Sequence, residues 1–520
     1  MAVSVFIKRS LIFVHRWLGI ALCVVFLLWF PSGIAMMYWG FPSVTRADRL
    51  QRSPALDPST VKLSPAEALK VLGFEDDAGA IRLNTFDGRP VYRVGGFGGE
   101  AIVYADTGEE QLAVPMEMVH RAAAAWTGQP VETARMEEIT EVDQWTVQTR
   151  LLDLRPLYKF SFPDGQQVYI SVNTGEVEQY TTTASRWGAY LGAIPHWLYF
   201  TPLRKHGAEW SRIVIWSSGI GTGAAILGII VGVWMYSPSK KYRHAGAPTS
   251  IPYRGQKRWH TILGLIFGVA TATWAFSGML SMDPFPRRGG RADRGGESAR
   301  GATVSPGTIR QALRGDVSAA SFERKPPAAA LAELAGLQVK ELQLTSFMGE
   351  PGYLATLGDG TTRIVPIDGE PMTGFTAERI IDVVRRAAGE SGLAEIKVID
   401  QYDMYYLDRR RQRPLPVVLA RLNDADGTRL YIDPRTARVV GTYGASNWTT
   451  RWLYHGLHSL DFPWLYNYRP LWDIVVITFM LGGTALCVTS LVLAWRVLGR
   501  KVRALIPASR VSSDWSEDPA

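Results

Sequence analysis

Four stretches of the chain carry no charged residue: Trp17–Thr45, Ile213–Ser239, Thr261–Met282 and Ile474–Trp495. Each is longer than the roughly 20 residues a helix needs to cross hydrocarbon, and longer than a buried core helix usually stays uncharged. They predict four membrane-spanning helices. The sequence between them follows other rules. "RPVYRVGG" and "QQVYISV" alternate apolar and polar positions as half-buried strands do. "SPAEALKVLG" opens on a Ser with a Glu three residues later, a capping box. "FTAERIIDVVRRAAG" opens on a Thr and closes on a Gly. Turns of the D-G and N-T-G type separate the strands. The pattern predicts about four small α+β units of roughly 60–70 residues.

Composition agrees with a chain built from blocks. Over 520 residues with 20% charged, the mean hydropathy is near zero. The connection 237–258 holds Lys240, Lys241, Arg243, Arg254, Lys257 and Arg258 and no acid; Arg496, Arg500, Lys501 and Arg503 follow the last run. The positive-inside rule then puts this loop and both termini in the cytoplasm and the long segments between spans outside. The net charge of +8 follows from that topology and does not point to nucleic acid. Lys8, Arg9 and Arg16 precede the first run as in a signal peptide. The run is too long for one, and the bulky "GIAMMYWGFP" offers no small-residue cleavage site, so it reads as a retained anchor. The two cysteines, Cys23 and Cys487, both fall inside spans. The outer segments thus have no disulfide, and redox chemistry would need a cofactor held by other ligands.

The chain repeats itself. "HRWLGIALCVVFLLWFPSG" from His15 matches "HTILGLIFGVATATWAFSG" from His260, aligning Gly19 with Gly264, Trp29 with Trp274 and Ser32-Gly33 with Ser277-Gly278. "DGQQVYISVNTGEV" matches "DGTRLYIDPRTARV", aligning Tyr169 with Tyr431. Two halves of span, outer domain, span imply a pseudo-twofold axis along the membrane normal. The boundaries expected are a first span at 11–45, an outer domain at 46–209, a second span at 210–239, a cytoplasmic loop at 240–258, a third span at 259–282, a second outer domain at 283–470, a fourth span at 471–496 and a tail at 497–520. The Gly/Arg-rich stretch Pro286–Gly307 reads as a flexible lead-in. "GIGTGAAILG" (219–228) mimics a dinucleotide loop, but inside a span it reads as small-residue helix packing, as do the pairs Gly228/Gly232 and Gly264/Gly268.

"HRWLG", "IPHWLYFTPLR", "RWHTILGLIFG" and "YHGLHSLDFPWLY" followed by "RPLWDIVVI" resemble the PepSY-associated transmembrane proteins, a bacterial inner-membrane group, over nearly the whole chain. The resemblance implies PepSY-like periplasmic units between the spans. Some members of that group are siderophore-iron reductases that carry haem in the membrane; other PepSY proteins inhibit or regulate peptidases.

The chain has eight histidines. His15 and His260 are equivalent in the repeat and stand at the cytoplasmic mouths of their spans. His196 and His458 each precede a tryptophan, Trp210 and Trp472, by fourteen residues, which makes a second pair on the outer side. His455, three residues before His458, shares its helix face and is the alternative partner. Haem iron takes two axial imidazoles from opposite faces, and two such pairs suit a two-haem wire with no open coordination position. Arg16 and Arg258 flank the inner pair and match haem propionates as Arg forks match carboxylates. A zinc or copper site from His196, His455, His458 and Asp461 is the rival set, and it leaves His15 and His260 unexplained. Outer aromatics such as Trp187, Trp197 and Trp464 fit an interface belt.

The expectation is therefore a four-span membrane protein in two duplicated halves, with two periplasmic α+β (PepSY-like) domains, in the bacterial inner membrane. Two b-type haems on His15, His260, His196 and His458 would pass electrons from a quinol or a cytoplasmic reductase to a periplasmic acceptor, plausibly a ferric siderophore or other iron chelate. Besides membrane lipid and these redox partners, none is implied. The alternative is a non-enzymatic PepSY regulator or scaffold, or an accessory subunit of a metal or siderophore uptake system.

Overall fold

A computed structural model of the chain describes residues 2–74, 81–96, 99–284, 304–408 and 411–505. Four helices are long and apolar enough to cross a membrane: α1 (Ala2–Met36), α2 (Gly207–Met235), α3 (Gly255–Leu280) and α4 (Leu471–Leu505). Each packs on its neighbours in chain order, and α1 closes the ring against α4. Glycines let the helices approach. A Cβ on Gly221 would stand 2.6 Å from the Phe26 ring, and one on Gly268 would stand 3.0 Å from Ile229. This is the close packing that membrane helices use in place of a hydrophobic driving force. α1 stops at Met36 although the uncharged run continues to Thr45. Gly40 and Pro42 do not continue a helix, and Thr45 already caps the next one, Arg46–Arg52, in a capping box with Asp48.

The described parts of segments 37–206 and 281–470 leave the bundle at one end, and the connection 236–254, the start of α1 and the end of α4 lie at the other. The first end is called domain-side below and the second terminus-side. Of the Gly/Arg-rich lead-in Pro286–Gly307, residues 286–303 lie outside the described residues.

Three sheets stand on the domain side. One antiparallel sheet of four strands runs Arg135–Ile139, Leu157–Ser161, Gln167–Ser171, Val177–Thr181; another runs Leu393–Ile399, Val417–Leu422, Arg429–Asp433, Arg438–Tyr443. Each is covered by one amphipathic helix. Met116–Thr127 buries Val119 and Ala123 on Phe160, Val168 and Ile170, while Ala377–Gly392 buries Ile380 and Val384 on Val418, Ala420 and Ile432. The D-G turns fall where the sequence puts them, with Gly165 at φ 87° and Gly427 at φ 55°.

The third sheet has six strands and draws on both segments. The meander Ile81–Phe86, Arg89–Gly96, Gly99–Tyr104 joins the meander Val339–Phe347, Glu350–Leu357, Thr362–Pro366 edge to edge, with Arg82 opposite Gln343 and Leu83 opposite Leu342. Pairing the two edges removes two exposed ladders and merges the cores. Leu83, Tyr92, Leu342 and Tyr353 are fully buried in one cluster. The hydroxyls of those tyrosines donate to Leu63 O (2.6 Å) and Lys325 O (2.8 Å). Arg46 adds an ion pair to Glu341 at 2.6 Å. The two segments thus stand as one body above the bundle.

Candidate functional site

Two pairs of imidazoles face each other inside this frame. At the terminus-side end, His15 on α1 and His260 on α3 have ring centroids 6.1 Å apart and planes 37° apart. At the domain-side end, His196 and His458 have centroids 6.0 Å apart and planes at 66°. Ser32 lies seventeen residues after His15 and Ser277 seventeen after His260. At 1.5 Å per helical residue the two pairs are therefore about 25 Å apart along the bundle.

The hydrogen bonds assign the tautomers. His15 Nδ1 lies 2.9 Å from Ala224 O, and His196 Nδ1 lies 3.0 Å from Trp29 O. A carbonyl only accepts, so both Nδ1 atoms carry the proton. His260 Nδ1 lies 3.1 Å from Thr489 Oγ1, and that hydroxyl donates to Leu486 O (2.7 Å). His458 Nδ1 lies 3.1 Å from Ser277 Oγ, which donates to Trp274 O (3.2 Å). With its own proton committed, each hydroxyl accepts from the imidazole. All four histidines thereby carry a proton on Nδ1. This is the arrangement that orients histidine ligands on metals. Two metal–nitrogen bonds of about 2 Å in line with two ring radii span about 6 Å, which is the separation found twice here.

Small residues make room for the rings. A Cβ on Gly228 would sit 2.6 Å from His15 Cε1. Cβ atoms on Gly33 and Gly278 would sit 3.4 Å and 3.5 Å from the Cε1 atoms of His196 and His458. The Ser-Gly dipeptide matched between the two halves is thus the seat of the domain-side pair: the Ser holds Nδ1 and the Gly clears the ring edge. Ser32 Oγ, 3.3 Å from His196 Nδ1, completes the likeness. Repetition marks Ser32-Gly33 and Ser277-Gly278 in the sequence, but their role appears only when the helices pack. Thr489 carries no sequence signal, and Ala224 shows only as one small residue in the run 219–228.

The short helices bearing the domain-side pair end alike. Ala193–Trp197 is capped by Leu198 at φ 52°, and Leu457–Ser459 by Leu460 at φ 51°, both in the left-handed region that a leucine seldom adopts. Trp210 Nε1 then donates to Trp197 O (2.8 Å), and Trp472 Nε1 donates to Ser459 O (3.1 Å). Each tryptophan closes the turn onto the carbonyl directly after the histidine, which accounts for the fourteen-residue spacing. A π-helix, Thr449–Gly456, precedes His458 and shifts the helical phase. As a result His458 meets His196, and His455 turns away. His455 is about half exposed, with Nδ1 3.9 Å from Asp461 Oδ2, and packs on Tyr454, which in turn stacks on His458 at 5.4 Å.

Around the domain-side pair lies a cavity of about 270 Å³ with mostly aromatic and aliphatic walls, among them Phe26, Trp29, Trp210, Val214 and Trp274. Burial lowers the pKa of His196 below its ordinary value, against the Trp29 carbonyl bond that raises it, which keeps this imidazole neutral. An apolar cavity lined by two imidazoles fits a flat, hydrophobic, iron-bearing macrocycle. Among the described residues no three His, Cys, Asp or Glu side chains gather as a metal cluster. Arg16 lies over the rings of Phe13 (5.6 Å) and Trp17 (5.8 Å), and Arg258 donates to Thr249 Oγ1 (2.8 Å). Cys23 and Cys487 are buried free thiols.

The model of the PepSY-associated TM region matches residues 13–340, well over half of the chain. The chain belongs to the PepSY-associated transmembrane family. The match takes in His15, His196 and His260, and it ends before His458. No curated protein matches the chain.

Proposed function

We propose that this PepSY-associated protein is a di-haem b-type electron carrier of the bacterial inner membrane, built from two duplicated halves. One observation carries the proposal: four half-buried histidines, one from each half in each pair, stand with ring centroids about 6 Å apart, and each commits Nδ1 to a hydrogen bond. Bound haem would supply one-electron redox chemistry at each pair. His15 with His260, and His196 with His458, would hold the two haems. The Nδ1–H bonds hold the ring planes, the glycines admit the rings, and the aromatic walls of the domain-side cavity exclude water. Arg16 and Arg258 are the cations nearest in sequence to the terminus-side pair and would balance propionate charge.

The basic connection 237–258 supports a cytoplasmic terminus side and periplasmic sheets. Electrons would then enter from quinol or a cytoplasmic reductase and leave toward a periplasmic acceptor, for which a ferric siderophore or other iron chelate is the proposed class. The duplication draws support from like features in the two halves: His15 and His260, the two Ser-Gly seats, and the left-handed Leu198 and Leu460. Purification from haem-replete cells tests the proposal. A reduced-minus-oxidised b-type band, halved in His15→Ala and lost in His15→Ala combined with His458→Ala, is expected. A colourless protein would overturn it and leave the regulator or scaffold alternative.

A further inference from the structure

The domain-side pair is held from two directions, and the second points to a role for the sheets. Two like turns reach down from the four-stranded sheets. In the first, Asp143 accepts from the backbone N–H of Trp145 and Thr146, both at 3.0 Å, and from the buried hydroxyl of Tyr169 at 2.7 Å. In the second, Asp403 accepts from the N–H of Tyr405 (2.8 Å) and Tyr406 (2.7 Å) and from the buried hydroxyl of Tyr431 (2.8 Å). Each carboxylate therefore ties one turn to the central part of one sheet.

The residue after each Asp touches a histidine-bearing segment. Gln144 uses both ends of its amide: Nε2 donates to Tyr199 O (2.7 Å) and Oε1 accepts from Thr201 Oγ1 (2.9 Å), just past His196. Met404 O accepts from Nε of Arg451, a buried residue in the π-helix that leads to His458. Arg451 Nη2 donates onward to Asp461 O (2.6 Å), three residues beyond His458. The serines hold the two imidazoles from the bundle; Gln144 and Arg451 hold their backbones from the sheets.

We infer that Gln144 and Arg451 are positioning residues that set the orientation of His196 and His458, so that a break in the turn contacts is felt at the domain-side pair and not at the terminus-side pair. The inference rests on the haem proposal above. Among the described residues, the hydrogen bonds of His15 and His260 run to α2 and α4, about 25 Å away, which gives the sheets no comparable hold on them. Replacing Gln144 by Leu leaves the Tyr199 carbonyl and the Thr201 hydroxyl without their partner and frees the segment after His196.

The test is electron paramagnetic resonance of the oxidised full-length protein, with its two low-spin signals assigned through His15→Ala and His196→Ala. That anisotropy follows the relative setting of the ligand planes and needs no turnover. In Gln144→Leu the signal tied to His196 shifts and the signal tied to His15 stays; Arg451→Lys, which keeps the charge but loses the second donor, does the same. Val119→Ala loosens the core of the first sheet without touching the turn, and should lower the melting temperature with little effect on either signal. Two intact signals that ignore Gln144→Leu, two signals that shift together, or a shift in Val119→Ala as large as in Gln144→Leu would overturn the inference alone. Unaltered protein without haem would overturn the haem proposal and this inference with it.

Discussion

The account turns on four Nδ1–H groups and the oxygens that receive them. Ser277 is the simplest to remove, because its hydroxyl accepts from His458 on the bundle side. Ser277→Ala should weaken the hold on the bound group at the domain-side pair by about 10- to 100-fold, as changes behind a metal-bound histidine commonly do, while the terminus-side pair keeps its occupancy; haem titration read by absorbance checks this. Gly228→Ala should do the reverse, since its Cβ would meet the His15 ring at 2.6 Å. His455→Ala should leave both sites occupied, because that ring points at Asp461 and Tyr454. Burial gives the pH dependence at His196. Its folded pKa lies below the ordinary 6.5, so the unfolded chain takes up its proton first as pH falls. The stability this residue contributes is complete above about pH 6.5 and is lost as pH drops through the folded value. Melting curves of the haem-free protein between pH 7.5 and 5, flattened in His196→Gln, would show it.

Among elements, the spans were legible because an uncharged run of twenty-odd residues has few other uses, and the helices Pro65–Val71 and Ala377–Gly392 because Ser64 and Thr376 cap them as the pattern predicts. The π-helix Thr449–Gly456 was not. Nothing in "TTRWLYHG" departs from ordinary helical spacing, and only the packed chain decides between His455 and His458. The Gly482-Gly483 pair on α4 was also silent. Side chains there would run into the rings of Phe267 and Phe30, which meet α4 at its backbone. Phe30, Trp274 and Phe479 then sit ring to ring at 5.9 Å and 6.3 Å in the middle of the bundle. Gly483→Ala should cost about 1–3 kcal/mol by overpacking. Phe30→Leu in the same chain should recover part of it, and thermal unfolding in detergent measures both.

At the scale of the whole molecule, the repeat foretold that each site would draw on both halves, but not that the two segments would share a sheet. Edge pairing between strands more than 250 residues apart leaves no local pattern: Leu83 and Leu342 look like any half-buried leucine. The shared sheet and the ring of spanning helices predict that halves separated within 240–254 and expressed together will co-purify. Either half alone should hold no group at either site, since each pair takes one imidazole from each half. Halves that each retain a full site would contradict the pairing. The most direct test of the central claim is haem stoichiometry in the full-length protein, read by pyridine haemochrome and redox difference spectra. Two b-type haems per chain are predicted, falling to one in His260→Ala and in His196→Ala and to none in the double variant. A chain without haem, or one whose haem survives the double variant, would contradict it.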